Sequence, residues 1–124
     1  MANPFVHVEL NTENVAQGKK FYSQLFDWKL EDTDMGVDGE YTLIDPRGGT
    51  GGGMFAMRGV SMWLPYVQVD DIKESTAKAR KLGAKIKRDV SEVQQMGWLS
   101  IIEDPTGAML GLWQPKSMSE TRGH

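Results

Sequence analysis

The sequence predicts an α+β fold of two tandem βαβββ modules. Three observations predict it. His7-Val8-Glu9-Leu10-Asn11-Thr12 leads into a helical pattern, and Leu64-Pro65-Tyr66-Val67-Gln68-Val69 does the same 57 residues later. Tyr41-Thr42-Leu43-Ile44-Asp45-Pro46 then matches Ser100-Ile101-Ile102-Glu103-Asp104-Pro105 at a shift of 59. Both copies continue as Asp-Pro-x-Gly, where proline presets φ and glycine adopts conformations other residues resist, the chemistry of a hairpin bend.

Each element follows in order. The first strand runs over 7–12 and ends at Thr12, a predicted N-cap, with Val15, Tyr22 and Leu25 on one helical face. In the second copy Asp70 or Asp71 caps, and Ile72, Ala79 and Leu82 take the same spacing. A strand follows each helix, around Trp28–Leu30 and around Lys85–Lys87, with Gly83 as the second helix's terminator. The closing strands are Gly52–Met57 and Ala108–Gln114. One domain is thus expected over 1–115, module one at 4–58 and module two at 62–115, joined through Arg58–Ser61. Residues 116–124 form a polar tail that contains His124.

Composition narrows the function. The 124 residues carry 14 basic and 17 acidic side chains, a net charge of -3, and no lysine- or arginine-rich run, so a nucleic-acid partner is not expected. No apolar stretch approaches the roughly 20 residues of a membrane helix, and no signal-peptide pattern opens the chain; a cytoplasmic protein without a membrane partner is expected. The chain has no cysteine, which removes thiolate metal sites and thiol nucleophiles, and its only histidines are His7 and His124. The run Gly48-Gly49-Thr50-Gly51-Gly52-Gly53 precedes a strand and lacks a following Lys-Ser or Lys-Thr pair. It reads as a hairpin turn that leaves space at a pocket mouth rather than as a phosphate cradle.

Strand alternation places His7 with Phe5 and Glu9 on one face, and Val6, Val8 and Leu10 toward the helices. The same alternation brings Tyr66, Gln68, Met109 and Trp113 from module two, and Met54 from module one, to the pocket face. This lining is mostly apolar with a few polar handles, as a small-molecule pocket requires. His7 and Glu9 stand two apart and are expected to pair directly as base and acid, the carboxylate raising the imidazole pKa. Tyr66 and Trp113 offer faces for a planar or cationic ligand. Trp28, Trp63 and Trp98 are assigned to packing or subunit contact, and Met35 and Met96 to turns.

The doubled βαβββ pattern, the first-strand His7, the Phe21-Tyr22-Ser23-Gln24-Leu25-Phe26 helix end and the closing Glu103-Asp104-Pro105-Thr106-Gly107-Ala108-Met109-Leu110 resemble the vicinal oxygen chelate superfamily. That group includes glyoxalase I, the bleomycin-resistance proteins and extradiol dioxygenases, and the resemblance covers roughly residues 4–115. It implies a homodimer and curved mixed sheets that form a cupped small-molecule pocket. Metal-dependent members hold a divalent ion with four side chains, and those positions fall here on His7, Gly52, Leu64 and Gly111. Three of the four lack a donor, so no cofactor and no metal site are expected. A divalent metal would need His7, Glu9 and a further carboxylate such as Glu40 or Glu103. The resemblance leaves three functions open: a metal-free binder of an aromatic or cationic small molecule, a glyoxalase-type lyase or isomerase using His7 and Glu9, and a non-catalytic scaffold or regulatory dimer.

Overall fold

The computed structural model describes residues 2–34 and 39–116. Its elements run β1 (Phe5–Thr12), α1 (Val15–Leu25), β2 (Lys29–Asp34), β3 (Glu40–Asp45), β4 (Gly52–Ala56), β5 (Ser61–Gln68), α2 (Ile72–Lys81), β6 (Lys85–Val93), β7 (Gly97–Glu103) and β8 (Met109–Pro115). The order strand, helix, three strands therefore occurs twice, and the class is α+β. The chain divides into two compact units, Val6–Pro65 and Met1–Phe5 with Tyr66–His124.

In the first unit the strand order is β2-β3-β4-β1. β2 and β3 pair antiparallel, as do β3 and β4, while β4 runs parallel to β1. The register sets Leu10 beside Met54 and Glu9 beside Gly53. Leu10, Ile44 and Met54 form the core, against which Val15, Tyr22, Trp28, Leu30 and Trp63 pack. Each buried aliphatic side chain contributes about 1.5–3 kcal/mol relative to exposure. Tyr22 lies 5.6 Å from Trp28 and 5.4 Å from Trp63, ring to ring, which accounts for both tryptophans as packing residues.

In the second unit the order is β5-β8-β7-β6, with β5 parallel to β8 and the other pairs antiparallel. Val69, Ile72 and Leu112 form its core, with Val90, Trp98 and Leu110 packed against them. Thr76 and Ser100 share a buried hydrogen bond of 2.9 Å, so the polar atoms on this helix–sheet contact are satisfied.

At the helix ends the structure departs from expectation at one cap and at two leucines. The cap of α1 is Asn14 rather than Thr12: Asn14 Oδ1 accepts from the Gln17 amide at 3.0 Å, while Thr12 Oγ1 accepts from the Asn14 amide. Of the two aspartates offered for α2, Asp71 caps, accepting from the Glu74 amide at 3.1 Å. Leu25 and Leu82, expected on the core faces of their helices, are exposed, because the helices end there and the chain turns away to the next strand. Gly83 follows at φ +106°, the left-handed conformation that stops α2. Both Asp-Pro turns are tied by their aspartates, Asp45 to the Arg47 amide and Asp104 to the Thr106 and Ala108 amides. Met96 lies in an exposed turn between β6 and β7; Met35 and residues 117–124, including His124, are outside the described residues.

Candidate functional site

The first unit carries a cleft of about 430 Å³. β1 supplies His7, β2 supplies Lys29 and Glu31, and β3 supplies Leu43, Ile44 and Asp45. Pro46 and the glycines 49, 51 and 52 complete the wall. The glycine run therefore does border a cavity, as its lack of side chains suggested. Lys29 and Asp45 face each other across β2 and β3, and Glu31 stands opposite Leu43. Two carboxylates, one ammonium and one imidazole thus surround an opening otherwise built from apolar atoms and backbone.

Behind His7 lies a short hydrogen-bond chain. His7 Nε2 is 2.6 Å from the Tyr41 hydroxyl, which donates to Glu9 Oε2 at 2.7 Å. The expected pairing of His7 with Glu9 is therefore bridged by Tyr41. The physical reason lies in the register: Tyr41 stands across from Phe55 and Leu43 across from Gly53, so the phenol leans diagonally over Gly53 and reaches β1. A Cβ at Gly53 would lie 2.1 Å from the Tyr41 oxygen, so only glycine leaves room for this ring. Burial lowers the His7 pKa from its ordinary value of 6.5 and keeps the imidazole neutral, the opposite of the rise that direct pairing with Glu9 implied. Asn11 continues the row on β1; it is 2% exposed, and its Oδ1 has no hydrogen-bond partner among the described residues.

Met54 does not belong to the site. It is fully buried, 0% exposed, in the core with Leu10 and Ile44. Parallel pairing sets Gly53, not Gly52 or Met54, beside Glu9, and a one-residue difference of register exchanges the two faces of a strand. The second unit holds the other expected residues. Tyr66 pairs with Gly111 and Gln68 with Trp113 across β5 and β8, which puts Tyr66, Gln68 and Trp113 on one sheet face. Tyr66 is only 4% exposed, its ring occupying the space over Gly111, whereas Gln68, Met109 and Trp113 are half-buried. Trp113 in turn lies over Gly97.

Tyr41 is the residue that sequence reasoning missed. Two signals point to it: Tyr41 and Leu43 alternate with the buried Thr42 and Ile44 along β3, and a glycine inside a strand marks the close approach of another group.

The residues present do not fit the divalent ion that the resemblance implies in metal-dependent relatives. Among the described residues, no three His, Cys, Asp or Glu side chains stand together to hold an ion. His7 and Glu9 are joined through a phenol, Glu103 pairs with Lys87 at 3.7 Å, and Gly52, Leu64 and Gly111 offer no side-chain donor.

Comparison with known proteins agrees with this architecture. Residues 7–112 match the model of the glyoxalase-like domain. The chain belongs to this family, within the vicinal oxygen chelate superfamily. The curated proteins named "Putative glyoxylase CFP32" from Mycobacterium bovis and Mycobacterium tuberculosis are 32% identical to it over 114 residues, 86% of this chain. The glyoxalase-like chain spans 44% of the length of these relatives. Among solved structures, the hypothetical protein BH1468 from Bacillus halodurans C-125 superposes with a TM-score of 0.73 at 13% identity, covering 94% of this chain and 96% of that one. Methylmalonyl-CoA epimerase from Mycobacterium tuberculosis gives 0.67 at 14% identity, with 94% and 91% covered. A Streptomyces coelicolor methylmalonyl-CoA epimerase in complex with 2-nitronate-propionyl-CoA gives 0.67 at 11%, with 94% and 99% covered. At these identities the structural likeness speaks for the fold.

Proposed function

We propose that this glyoxalase-like chain is a small-molecule-binding protein whose ligand enters the cleft of the first unit and contacts His7. The observation that carries this reading is the cleft itself: a volume of about 430 Å³ lies in the range of small-molecule sites, and its polar groups are few and come from β1, β2 and β3. Glu31 and Asp45 outnumber Lys29 there, which favours a ligand bearing positive charge or several hydrogen-bond donors. Leu43 and Pro46 supply apolar surface for the body of an aromatic or cationic molecule. Protein groups alone make these contacts, and the donor set gives no reason to invoke a metal. Association as a homodimer belongs to the same proposal, since Phe21, Leu25 and Phe26 stand exposed at the end of α1.

A thermal-shift screen with aromatic cations and polyamines tests the binding reading. A probe at about 100 times its Kd stabilises the protein by about 2.7 kcal/mol. His7→Ala and Glu31→Gln are expected to abolish that gain while leaving the unliganded melting temperature within a few degrees of the parent. A bound probe whose stabilisation survives both substitutions contradicts the location.

A second reading has one specific observation in its favour. The chain from His7 through Tyr41 to Glu9 has the form of a supported general base, so the protein also suits proton transfer in the lyase or isomerase manner. The curated relatives named as putative glyoxylase support an enzymatic reading. Turnover by protein stripped of metal, lost in His7→Ala, is the result this reading expects.

A further inference from the structure

We infer that Gly51 is a specificity-determining residue of the cleft: its missing side chain leaves the floor on which the flat body of an aromatic cation of the amidinium type lies. The inference rests on the small-molecule reading of this cleft and adds where in it the ligand lies and what shape it has.

Three glycines line the cleft, and the fold accounts for two of them. Gly49 has φ +78°, in the left-handed region that other side chains rarely enter. Gly52 faces the core, where a Cβ would lie 2.1 Å from the Val8 carbonyl oxygen and 3.7 Å from Ile44 Cδ1. Gly51 has neither reason. Its φ lies outside the left-handed region, and among the described residues a Cβ there meets only the Ile44 carbonyl oxygen within 4 Å, at 3.4 Å, an ordinary contact. Alanine would fit, and in extended chain glycine is the less stable choice because it loses more freedom on folding. The Gly51 carbonyl accepts from the Val8 amide at 3.1 Å, so the ladder reaches this residue, and alternation from the core-facing Gly52 turns the bare position toward the face of His7.

The register sets what stands on either side. Ile44 and Val8 both pair with Gly52, which carries Asp45 to one side of Gly51 and His7 to the other. With strands about 4.8 Å apart, these two side chains flank a gap of roughly 10 Å, enough for an aromatic ring. His7 serves here only as a wall, and its hydrogen bonds stay as they are. The floor is peptide backbone, which is planar, so it takes a flat group closely and a thick one poorly. Charge sets the other half of the ligand. Lys29 stands across from Asp45, whereas Glu31 stands across from Leu43, a carboxylate beside apolar surface. Asp45 Oδ1 accepts from the Arg47 amide at 2.9 Å, which holds that carboxylate at the edge of the gap. An amidinium presents two parallel N–H donors that match a carboxylate, and joined to an aromatic ring it gives a flat body with a charged end.

Benzamidinium, cyclohexanecarboxamidinium, which carries the same charge on a puckered ring, and uncharged benzamide are titrated into the full chain and followed by NMR. Benzamidinium is expected to bind at least about tenfold more tightly than either of the others. Gly51→Ala is expected to weaken it about tenfold and Gly51→Leu to remove it, while both variants melt within a few degrees of the parent and Gly52→Ala melts well below it. Equal binding of the flat and puckered cations by the parent overturns the inference. So does benzamidinium affinity unchanged in Gly51→Leu, and so does a Gly51→Ala protein destabilised as far as Gly52→Ala, which would make this glycine a demand of the fold. The comparison on the parent decides even where a variant does not fold. A probe lost in His7→Ala and Glu31→Gln but kept in Gly51→Leu refutes this inference and leaves the cleft reading standing; a parent that binds no aromatic cation refutes both.

Discussion

Replacing Met54 with alanine separates a core residue from a pocket residue. Met54 is 0% exposed and sits between Leu10 and Ile44, with Val15, Tyr22, Trp28, Leu30 and Trp63 packed on that cluster. Truncating a buried Met to Ala costs about 2–5 kcal/mol, depending on how far the surroundings collapse. Three of the neighbours are aromatic and hold each other at ring separations of 5.4 to 6.3 Å, so little collapse is available and a loss of about 3–4 kcal/mol is expected. For a domain of this size each kcal/mol moves the melting temperature by about 3–6 °C, giving a fall of about 10–20 °C. Met54→Leu, which keeps volume, should cost less than about 1.5 kcal/mol. Urea and thermal denaturation followed by circular dichroism measure both variants. A Met54→Ala protein as stable as the parent but unable to bind a cleft probe would show that the side chain lines the site, and the assignment of the two sheet faces would be wrong.

Acidification should destabilise the protein through His7. Its pKa lies below 6.5 in the folded chain because burial penalises the charged ring, so its contribution is fully present above 6.5 and declines as the pH falls from 6.5 toward the folded value. The groups that share its surroundings include Glu9 and Tyr41 behind it and Lys29, Glu31 and Asp45 around the cleft. The urea midpoint measured from about pH 8 to about pH 5 should therefore fall more in the parent than in His7→Gln, and parallel curves would contradict the shift. Gly111→Ala places a Cβ 2.4 Å from the ring of Tyr66, which is too buried to swing aside, and overpacking of this kind costs about 1–3 kcal/mol. Chemical denaturation with no loss for Gly111→Ala would refute that packing.

The fold was legible because its signals are local and doubled. The α2 cap, two Asp-Pro turns and matching apolar spacings each restrict the backbone within a few residues, and a repeat lets one copy check the other. The site was less legible because it depends on register, which the sequence expresses weakly. His7 and Glu9 fall on one face by simple alternation along a single strand. Met54 was misplaced because its face depends on how β4 slides against β1, and the glycines at 51, 52 and 53 give no side chain by which to choose. Tyr41 stayed hidden for a related reason: its contact with β1 reaches diagonally over Gly53, from a strand 34 residues further along the chain. The direction of the His7 shift reversed with it, since a phenol between ring and carboxylate leaves burial as the dominant influence.

Titration of Zn²⁺, Ni²⁺ and Mn²⁺ into the purified chain by calorimetry tests most directly whether His7 serves a hydrogen-bonded cleft or an ion. With the imidazole tied to a phenol and no group of three His, Cys, Asp or Glu side chains among the described residues, the expected result is no stoichiometric binding for any of the three. One ion per chain, lost in His7→Ala, would contradict the account at its centre.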